Sequence, residues 1–323
     1  MDSTLIHPNL CRLPSDSEQV VDADEEVFSL YTDLQSYSGS GPNSSSSFRG
    51  LGHVDSHQDV LVVNFELTEA TTSADGVDHD SRSRKKRKSH RERKAKSIDV
   101  EVQIAQDKTA LRSRKGDTGS VVWKASIDFA RLVLQGAHFP SHETWSLFDY
   151  AKLKESHVLE LGSGTGLLAV LLSPLVKKYT ATDIEDLIPL IQKNLALNLP
   201  NWPDVNKSNV SATSLDWLVL RNTTPQLRSR NFSFEPIDLL LIVDCIYHPS
   251  LLPAFLETID YLTTPGSTTV LVVVELRAED VIREFLERWL AMPLWKIWRV
   301  GGGDGGLMDR PYVLWAGWKE LEE

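Results

Sequence analysis

The chain has 323 residues, 41% of them hydrophobic, and its two cysteines, Cys11 and Cys245, lie far apart; this composition predicts one main domain of about 200 residues and excludes a disulfide framework or a zinc cluster. No apolar run approaches the roughly 20 residues that cross a bilayer, and the N-terminus lacks a signal-peptide pattern, so we expect a cytoplasmic protein without membrane contact. The formal net charge of −11 disfavours naked nucleic acid as a partner, because a negative protein repels phosphates.

Residues 81–96 form a basic run of ten lysines and arginines with a single acid, Glu92. Outside this run the chain carries 24 basic and 44 acidic residues, a net charge of −20. A field of that sign attracts cations, so we expect a basic protein as the substrate. The basic run itself predicts a solvated loop insert, a nuclear-import signal or a contact to ribosomal RNA, and the sequence leaves all three open.

The segment before the core is predicted to be irregular. Residues 1–56 are rich in serine, aspartate and glycine, which predicts a largely flexible segment with a short helix over 25–34. Two runs at 60–67 and 98–104 carry strand patterns and predict an antiparallel ribbon, with a disordered insert between them. The predicted parts of the chain are therefore 1–56, a ribbon with its insert (about 70–97) at 57–117, and a main domain at 118–323.

In the main domain, apolar strands alternate with helices. A helix at 125–134 is predicted to end at Gly136, and a later helix at 250–262 is predicted to have Ser250 as its N-cap. This alternation indicates a largely parallel sheet covered on both faces, and two final strands joined by a glycine-rich segment indicate an antiparallel hairpin. The predicted strands are 157–161, 179–182, 239–243, 269–274, 295–300 and 312–318, and the other predicted helices are 166–175, 187–198 and 278–290.

The first of these strands ends in a glycine-rich loop, Glu160-Leu161-Gly162-Ser163-Gly164-Thr165-Gly166. Glycine has no Cβ, so it tolerates positive φ and lets a ligand lie against the main chain. The dinucleotide fingerprint needs Gly-x-Gly-x-x-Gly, and this loop differs from it by one residue, which disfavours a nicotinamide oxidoreductase. A glycine-rich turn without any ligand is the alternative.

Two aspartates follow strands of the same sheet. Asp183 comes about 20 residues after the glycines, where an acidic side chain is placed to accept hydrogen bonds from a ribose. Asp244 follows the strand at 239–243, on the edge where ligands of parallel sheets bind. The alternatives are that Asp183 starts a loop or caps the next helix, and that Asp244 caps a turn while Tyr247 packs against the following helix.

Several motifs together resemble the family 16 protein-lysine methyltransferases, over roughly Asp59 to the C-terminus. The run at 312–319 and the insert before the core are most similar to the fungal ribosomal lysine N-methyltransferase 5 group. The resemblance implies a class I, Rossmann-like α/β fold with a doubly wound, mostly parallel seven-strand sheet. The motifs are Thr118-Gly119 with Trp123, the loop from Glu160 to Gly166, Thr182-Asp183, Asn194, Asn198, Asp216-Trp217 and the signature Asp244-Cys245-Ile246-Tyr247.

The resemblance also implies S-adenosylmethionine as the cofactor, no metal, and a lysine of a large-subunit ribosomal protein as the substrate. We expect a monomer. Asp244 and Tyr247 are implied to face the target lysine. The implied cofactor contacts come from Trp123, Glu160, Gly162, Gly164, Gly166, Asp183, Trp217 and the backbone near Val243.

A lysine side chain has a pKa near 10.4, yet its nitrogen must be neutral to attack a methyl group. The hypothesis is that Asp244 captures and orients the ammonium, while Tyr247 forms part of an aromatic-walled slot that favours proton loss. Cys245 is expected to be a core residue rather than a nucleophile, and His248 a loop residue rather than a base. Glu275 and Arg277 are expected either to line the substrate groove or to pair with each other.

Three other functions stay open at this point. An adenine-N6 nucleic-acid methyltransferase would carry Asn/Asp-Pro-Pro-Tyr at this strand end, and this chain lacks both prolines. Sister groups of the same family act on elongation factors or chaperones instead of ribosomal proteins. A third alternative is a non-catalytic adaptor that is tethered to ribosomes by the basic run.

Overall fold

The computed structural model describes residues 10–38, 52–55, 57–69, 96–107, 119–140, 146–204, 206–302, 308 and 311–321. The basic run lies outside the described residues except for Lys96. The strands are β1 (Glu18–Gln19), β2 (Val60–Thr68), β3 (Ser97–Ala105), β4 (His157–Leu161), β5 (Lys178–Asp183), β6 (Val210–Ser214), β7 (Leu239–Val243), β8 (Thr269–Glu275), β9 (Trp295–Arg299) and β10 (Tyr312–Lys319).

The described residues form nine α-helices, most of them short. Single turns of 3₁₀-helix precede or follow three of them, at Ser173–Leu175, Glu185–Leu187 and Pro249–Leu251. The helices are α1 (Ala23–Ser38), α2 (Lys124–His138), α3 (Tyr150–Leu153), α4 (Leu167–Leu172), α5 (Ile188–Asn198), α6 (Trp217–Asn222), α7 (Pro225–Asn231), α8 (Leu252–Leu262) and α9 (Glu279–Leu290).

One large sheet organises the domain, in the strand order β1-β9-β10-β8-β7-β4-β5-β6. The strands from β8 to β6 pair in parallel, and β10 joins β8 and β9 antiparallel. Every residue of β4, β7 and β8 is buried, because α2, α4 and α5 cover one face of the sheet and α8 and α9 the other. This confirms the predicted α/β fold and its C-terminal hairpin.

The strand order reverses at β4. The chain runs from β4 outward through β5 and β6, and then returns to place β7 on the other side of β4. A crevice forms at such a switch point, beyond the carboxyl ends of the strands, and ligands of open parallel sheets bind there. The glycine loop follows β4 and therefore lies at this point.

The N-terminal segment, expected to be largely flexible, is instead packed on the domain over residues 10–38. β1 pairs with β9 and adds an eighth strand to the seven that were predicted. In α1, Val27 is fully buried, and Glu26 accepts a hydrogen bond from the indole nitrogen of the buried Trp315 at 2.9 Å. The polar composition of this segment concealed the apolar positions that face the core.

The predicted ribbon is confirmed: β2 and β3 pair antiparallel over their whole length. Side-chain amides form hydrogen bonds along its β3 edge. Asn194 and Asn198 of α5 each donate to and accept from the β3 backbone, at Ala105 and Gln103, with distances of 2.7 to 3.0 Å. Since an amide side chain offers the same donor and acceptor as a peptide group, these residues replace a neighbouring strand.

Two predicted helix boundaries are wrong. Gly136 does not end its helix but lies inside α2, where a Cβ would collide with the Tyr150 hydroxyl. The glycine therefore serves close packing rather than termination. Ser250 does not cap α8, because its hydroxyl bonds His248 at 2.8 Å, and His248 accepts from the Ser250 amide to start the preceding 3₁₀ turn.

β6, α6 and α7 lie between the predicted helix at 187–198 and the predicted strand at 239–243, where the sequence analysis assigned no element. β6 is an edge strand whose residues are largely polar and partly exposed, so it lacks the continuous apolar run that marks β4 and β7. α6 begins at Trp217 because Asp216 accepts from the amides of Leu218 and Val219 as an N-cap.

Candidate functional site

A cavity opens at the carboxyl ends of β4, β5 and β7, with an empty volume of about 1070 Å³ that includes open solvent at its mouth. Its position at the switch point of the sheet suits a small-molecule ligand. Eight of the ten predicted site residues line it, and Glu160 and Gly166 do not. The eight are Trp123, Gly162, Gly164, Asp183, Trp217, Val243, Asp244 and Tyr247.

The glycine loop, residues 162–166, has left-handed backbone at each of its glycines. At Gly164, with φ of 54°, a Cβ would meet the carbonyl oxygen of Gly119 at 2.9 Å. At Gly162, with φ of 69°, a Cβ would meet Cys245 Sγ at 2.6 Å. The loop can therefore keep this shape only with glycine at these two positions, and it exposes main chain to the cavity.

Asp183, the last residue of β5, holds this loop. Its Oδ2 accepts from the Gly164 amide at 2.8 Å, and its Oδ1 accepts from the Ile184 amide at 2.8 Å. The carboxylate also lines the cavity. Asp183 thus braces the glycine loop and also lines the ligand space.

Glu160 lies beneath the loop rather than in the cavity. It is 3% exposed, and its carboxylate accepts from the Tyr179 hydroxyl at 2.8 Å. Burial raises the pKa of Glu160 to about 7, although the Tyr179 hydrogen bond opposes the shift. Its backbone carbonyl accepts from the Thr182 hydroxyl at 2.6 Å. Glu160 therefore ties β4 to β5 below the ligand space.

Gly166 also lies outside the cavity. It has φ of 76° and stands at the N-cap of α4, where a Cβ would meet Ile191 Cγ2 at 3.0 Å. Its position serves the packing of the loop against α5.

Two tryptophans form aromatic walls of the cavity. Trp123 precedes α2 and meets the ring of His53 edge-on, with centroids 6.0 Å apart. Trp217 begins α6 and packs against Phe255 of α8 with centroids 4.6 Å apart. Each ring packs against the body of the domain and also contributes to the cavity lining, which suits stacking on a flat ligand group.

Asp244 occupies an unusual position at the end of β7. Its backbone has φ of 60°, a conformation that costs a side-chain-bearing residue roughly 1–2 kcal/mol. Its amide donates to the Val273 carbonyl at 2.7 Å, and its side chain is only 6% exposed. Burial raises the pKa of Asp244 to about 6, and the neighbouring Arg277 opposes that shift. The carboxylate is therefore largely ionised at pH 7.

Asp244, Glu275 and Arg277 form a group that we call the Asp–Glu–Arg cluster. Arg277 Nη2 donates both to Asp244 and to Glu275 Oε2, the latter at 2.7 Å. The guanidinium carbon lies 4.6 Å from the ring centroid of Trp123, a cation–π distance. Glu275 and Arg277 do pair, as one sequence interpretation held. The sequence did not reveal that Arg277 also binds Asp244.

Tyr247 is 38% exposed and reaches the cavity from the loop after β7.

Cys245 packs under the glycine loop, with its Sγ 3.3 Å from the Leu161 carbonyl oxygen. Burial raises the pKa of the Cys245 thiol well above its ordinary value, so it is not a thiolate. His248 bonds Ser250 and does not line the cavity. The structure thus favours the core and loop interpretations of these two residues.

The chain is similar to one protein family and to several known proteins. A family profile described as "Lysine methyltransferase" matches residues 103–290. A diaminohydroxyphosphoribosylamino-pyrimidine deaminase of Schizosaccharomyces pombe is 33% identical over 58% of this chain and 41% of its own length. Ribosomal lysine N-methyltransferase 5 of Zygosaccharomyces rouxii is 29% identical over 53% of this chain and 64% of its own.

Among solved structures, N-methyltransferase NodS of Bradyrhizobium japonicum in complex with S-adenosyl-L-homocysteine is 16% identical, with a TM-score of 0.34. The match covers 61% of this chain and 86% of NodS.

The matched regions span less than two thirds of either relative, so part of each relative has no counterpart in the match. The zinc-dependent nucleobase deaminases carry a Pro-Cys-x-x-Cys motif, and this sequence has only the distant pair Cys11 and Cys245. Within the described ranges, no three potential metal ligands cluster, and no helix is long and apolar enough to cross a membrane. The profile spans more than half of the chain and includes the glycine loop, Asp183 and Asp244. The chain therefore belongs to the lysine methyltransferase family, whose methyl donor is S-adenosylmethionine.

Proposed function

We propose that this chain transfers a methyl group from S-adenosylmethionine to a lysine side chain of a large-subunit ribosomal protein. One observation carries the proposal: the buried carboxylate of Asp244 lies in the lining of the same cavity as the glycine loop. A carboxylate there attracts a lysine ammonium toward a cofactor that rests on bare main chain. The name of the Zygosaccharomyces rouxii relative supports the ribosomal substrate.

The cavity residues suit the parts of this cofactor. Gly162 and Gly164 let its amino-acid portion approach the backbone, and Asp183 is placed for the ribose hydroxyls. Trp123 and Trp217 present ring faces for stacking, and Val243 contributes backbone at the end of β7. Glu160 and Gly166 act in this proposal through the shape of the loop rather than by contact.

S-adenosylmethionine supplies an electrophilic methyl group on a positive sulfur. The lysine nitrogen forms a bond to the methyl carbon as the carbon–sulfur bond breaks, so the nitrogen must first release its proton to solvent. Asp244 binds and orients the incoming ammonium, and Tyr247 forms a wall of the lysine slot with its ring and hydroxyl. Much of the rate then comes from alignment of the reacting atoms.

The chain outside the basic run carries a net charge of −20, which favours a lysine- and arginine-rich partner such as a ribosomal protein. We expect the protein to act as a monomer in the cytoplasm. The basic run is either a contact to ribosomal RNA or a nuclear-import signal in this proposal.

The proposal is tested with tritiated S-adenosylmethionine and proteins from cells that lack the chain. We expect a labelled band in the large ribosomal subunit, and we expect Asp244→Ala to lose transfer while it still binds S-adenosylmethionine in calorimetry. Asp204→Ala is the control, because Asp204 pairs with Lys207 on an exposed loop. A label confined to soluble factors would assign the chain to a sister substrate. Near-normal turnover by Asp244→Ala would refute the role of Asp244, and cofactor binding without any transfer would favour a non-catalytic adaptor.

A further inference from the structure

The proposed function gives Arg277 no role, yet its guanidinium binds the carboxylate that receives the target lysine. The same Nη2 is shared between Asp244 and the buried Glu275. Trp123 covers the guanidinium and also lines the cavity. A permanent cation therefore lies beside the binding position of an ammonium that has to become neutral.

The other titratable groups around this cluster are mostly acidic. Tyr312 of β10 donates to Asp128 of α2 at 2.8 Å, and both Glu275 and Asp244 contribute to the raised pKa of Tyr312. Arg277 is therefore the cation that opposes the local negative charge among the described residues of the cluster. The other titratable side chains of the cavity lining among the described residues are Asp183, Asp216, Tyr247 and Cys245, while Glu160 lies beneath the glycine loop and His53 packs against Trp123.

The net charge of the cluster affects whether the bound lysine keeps or releases its proton. With Asp244 and Glu275 ionised, Arg277 leaves the cluster with one net negative charge. Without Arg277 no cation would offset the two carboxylates, and in the alkaline range where both are ionised they would hold the ammonium in its protonated form. That form cannot attack a methyl group.

On the basis of the proposed function, we propose that Arg277 is a positioning residue that limits the negative charge around Asp244, so that the target lysine binds as an ammonium but releases its proton. Glu275 keeps Arg277 in place when the lysine takes up part of the Asp244 carboxylate. The stack on Trp123 fixes the plane of the guanidinium.

The test is the pH profile of methyl transfer to a total protein extract from cells that lack the chain. Arg277→Gln is expected to move the midpoint of the alkaline rise upward by roughly one to two pH units, with its high-pH rate approaching that of the unchanged chain. Arg277→Lys is expected to keep the midpoint, because it keeps the charge. Arg288→Gln, an exposed partner of Glu284 on α9, is the matched control and is expected to change nothing.

Arg277→Gln removes the cation that two buried carboxylates share and therefore favours unfolding, so a second pair of variants keeps the test decisive. Glu275→Gln removes one negative charge and is expected to move the midpoint in the opposite, acidic direction. The double variant Glu275→Gln with Arg277→Gln restores one net negative charge and is expected to return the midpoint close to its original value. Calorimetric binding of S-adenosylmethionine and thermal unfolding check each variant.

Uniformly lower rates with unchanged midpoints in Arg277→Gln and Glu275→Gln would overturn the inference and leave Arg277 a structural residue. The inference would also be overturned if Arg277→Lys displaced the midpoint as far as Arg277→Gln does. These failures differ from failure of the proposed function. If the unchanged chain transfers no methyl group to any protein, both proposals fall; if it transfers one and the midpoints do not move, only the role of Arg277 falls.

Discussion

The glycine loop and Asp244 of the Asp–Glu–Arg cluster line one cavity, and both have left-handed backbone. In the loop the positive φ angles belong to glycines, which adopt them without steric cost. At the start of the cluster a positive φ of 60° belongs to Asp244, which carries a side chain and adopts it at a cost. The glycines of the loop leave the ligand space free of side-chain atoms. In the cluster, strained backbone at Asp244 places a carboxylate in that space.

This difference predicts a separation of roles: changes in the loop should affect cofactor binding, and changes in the cluster should affect transfer. The largest expected effect is in the loop. The change Gly164→Ala places a Cβ on a residue with positive φ, 2.9 Å from the Gly119 carbonyl oxygen. Both the backbone strain and this close contact force the loop to shift. We expect the affinity for S-adenosylmethionine, measured by calorimetry, to fall on the order of a hundredfold, or ~3 kcal/mol.

Gly52→Ala is the matched control for this change. Gly52 has φ of 66°, close to that of the loop glycines, but a Cβ there meets no atom within 4 Å. It should lower the free energy of unfolding by about 1 kcal/mol through backbone strain and leave cofactor affinity unchanged. Equal losses of affinity in both variants would show that the close approach of the loop to Gly119 is irrelevant to binding.

The second prediction concerns the charge under the loop. Glu160 has a pKa raised by burial from 4.5 to about 7, so the folded state binds its proton more tightly than the unfolded state. The stability linked to this proton is complete below about pH 4.5 and is lost as the pH rises through about 7. Glu160→Gln keeps an acceptor for the Tyr179 hydroxyl and should raise the free energy of unfolding at pH 8 by up to about 3 kcal/mol.

Urea unfolding between pH 4.5 and 8 measures this effect, with Glu101→Gln on the exposed face of the ribbon as the control. Calorimetry on the same variant sharpens the comparison, because Glu160 lies outside the cavity lining. If Glu160→Gln lost much of its cofactor affinity at unchanged stability, Glu160 would be a cofactor contact, as the family resemblance implies.

What the sequence alone could predict follows the same division. The glycine loop is contiguous, and its strand, turn and helix are encoded in one short stretch, so its place at the switch point followed from the alternation of strands and helices. The cluster joins Asp244 to Arg277, which are brought together only when β7 and β8 pair in parallel. Residue types and spacing do not specify which carboxylate a guanidinium will bind, so Arg277 stayed ambiguous until side chains were placed.

The docking of the N-terminal segment was hidden for a related reason. Its few apolar residues, such as Val20 and Val27, are separated by polar ones and gain their partners from the distant α9 and β9. The amides of Asn194 and Asn198 were noticed only as part of a family pattern. Their hydrogen bonds to β3 depend on a register between α5 and the ribbon that local sequence does not report.

These two asparagines give the smallest and most selective test. Both bond the β3 backbone, but only Asn194 also donates to the Thr165 carbonyl of the glycine loop, at 2.8 Å. Asn194 is fully buried, so Asn194→Ala leaves unpaired backbone groups and should lower the free energy of unfolding by about 2 kcal/mol. Asn198→Ala, at an exposed edge, should lower the free energy of unfolding by about 1 kcal/mol or less.

Because the hydrogen bond from Asn194 to the Thr165 carbonyl supports the glycine loop, only the Asn194 variant should also weaken S-adenosylmethionine binding. Equal affinities in the two variants would mean that the loop holds its shape through Asp183 and its glycines alone, and that the ribbon stabilises the domain without reaching the cofactor site.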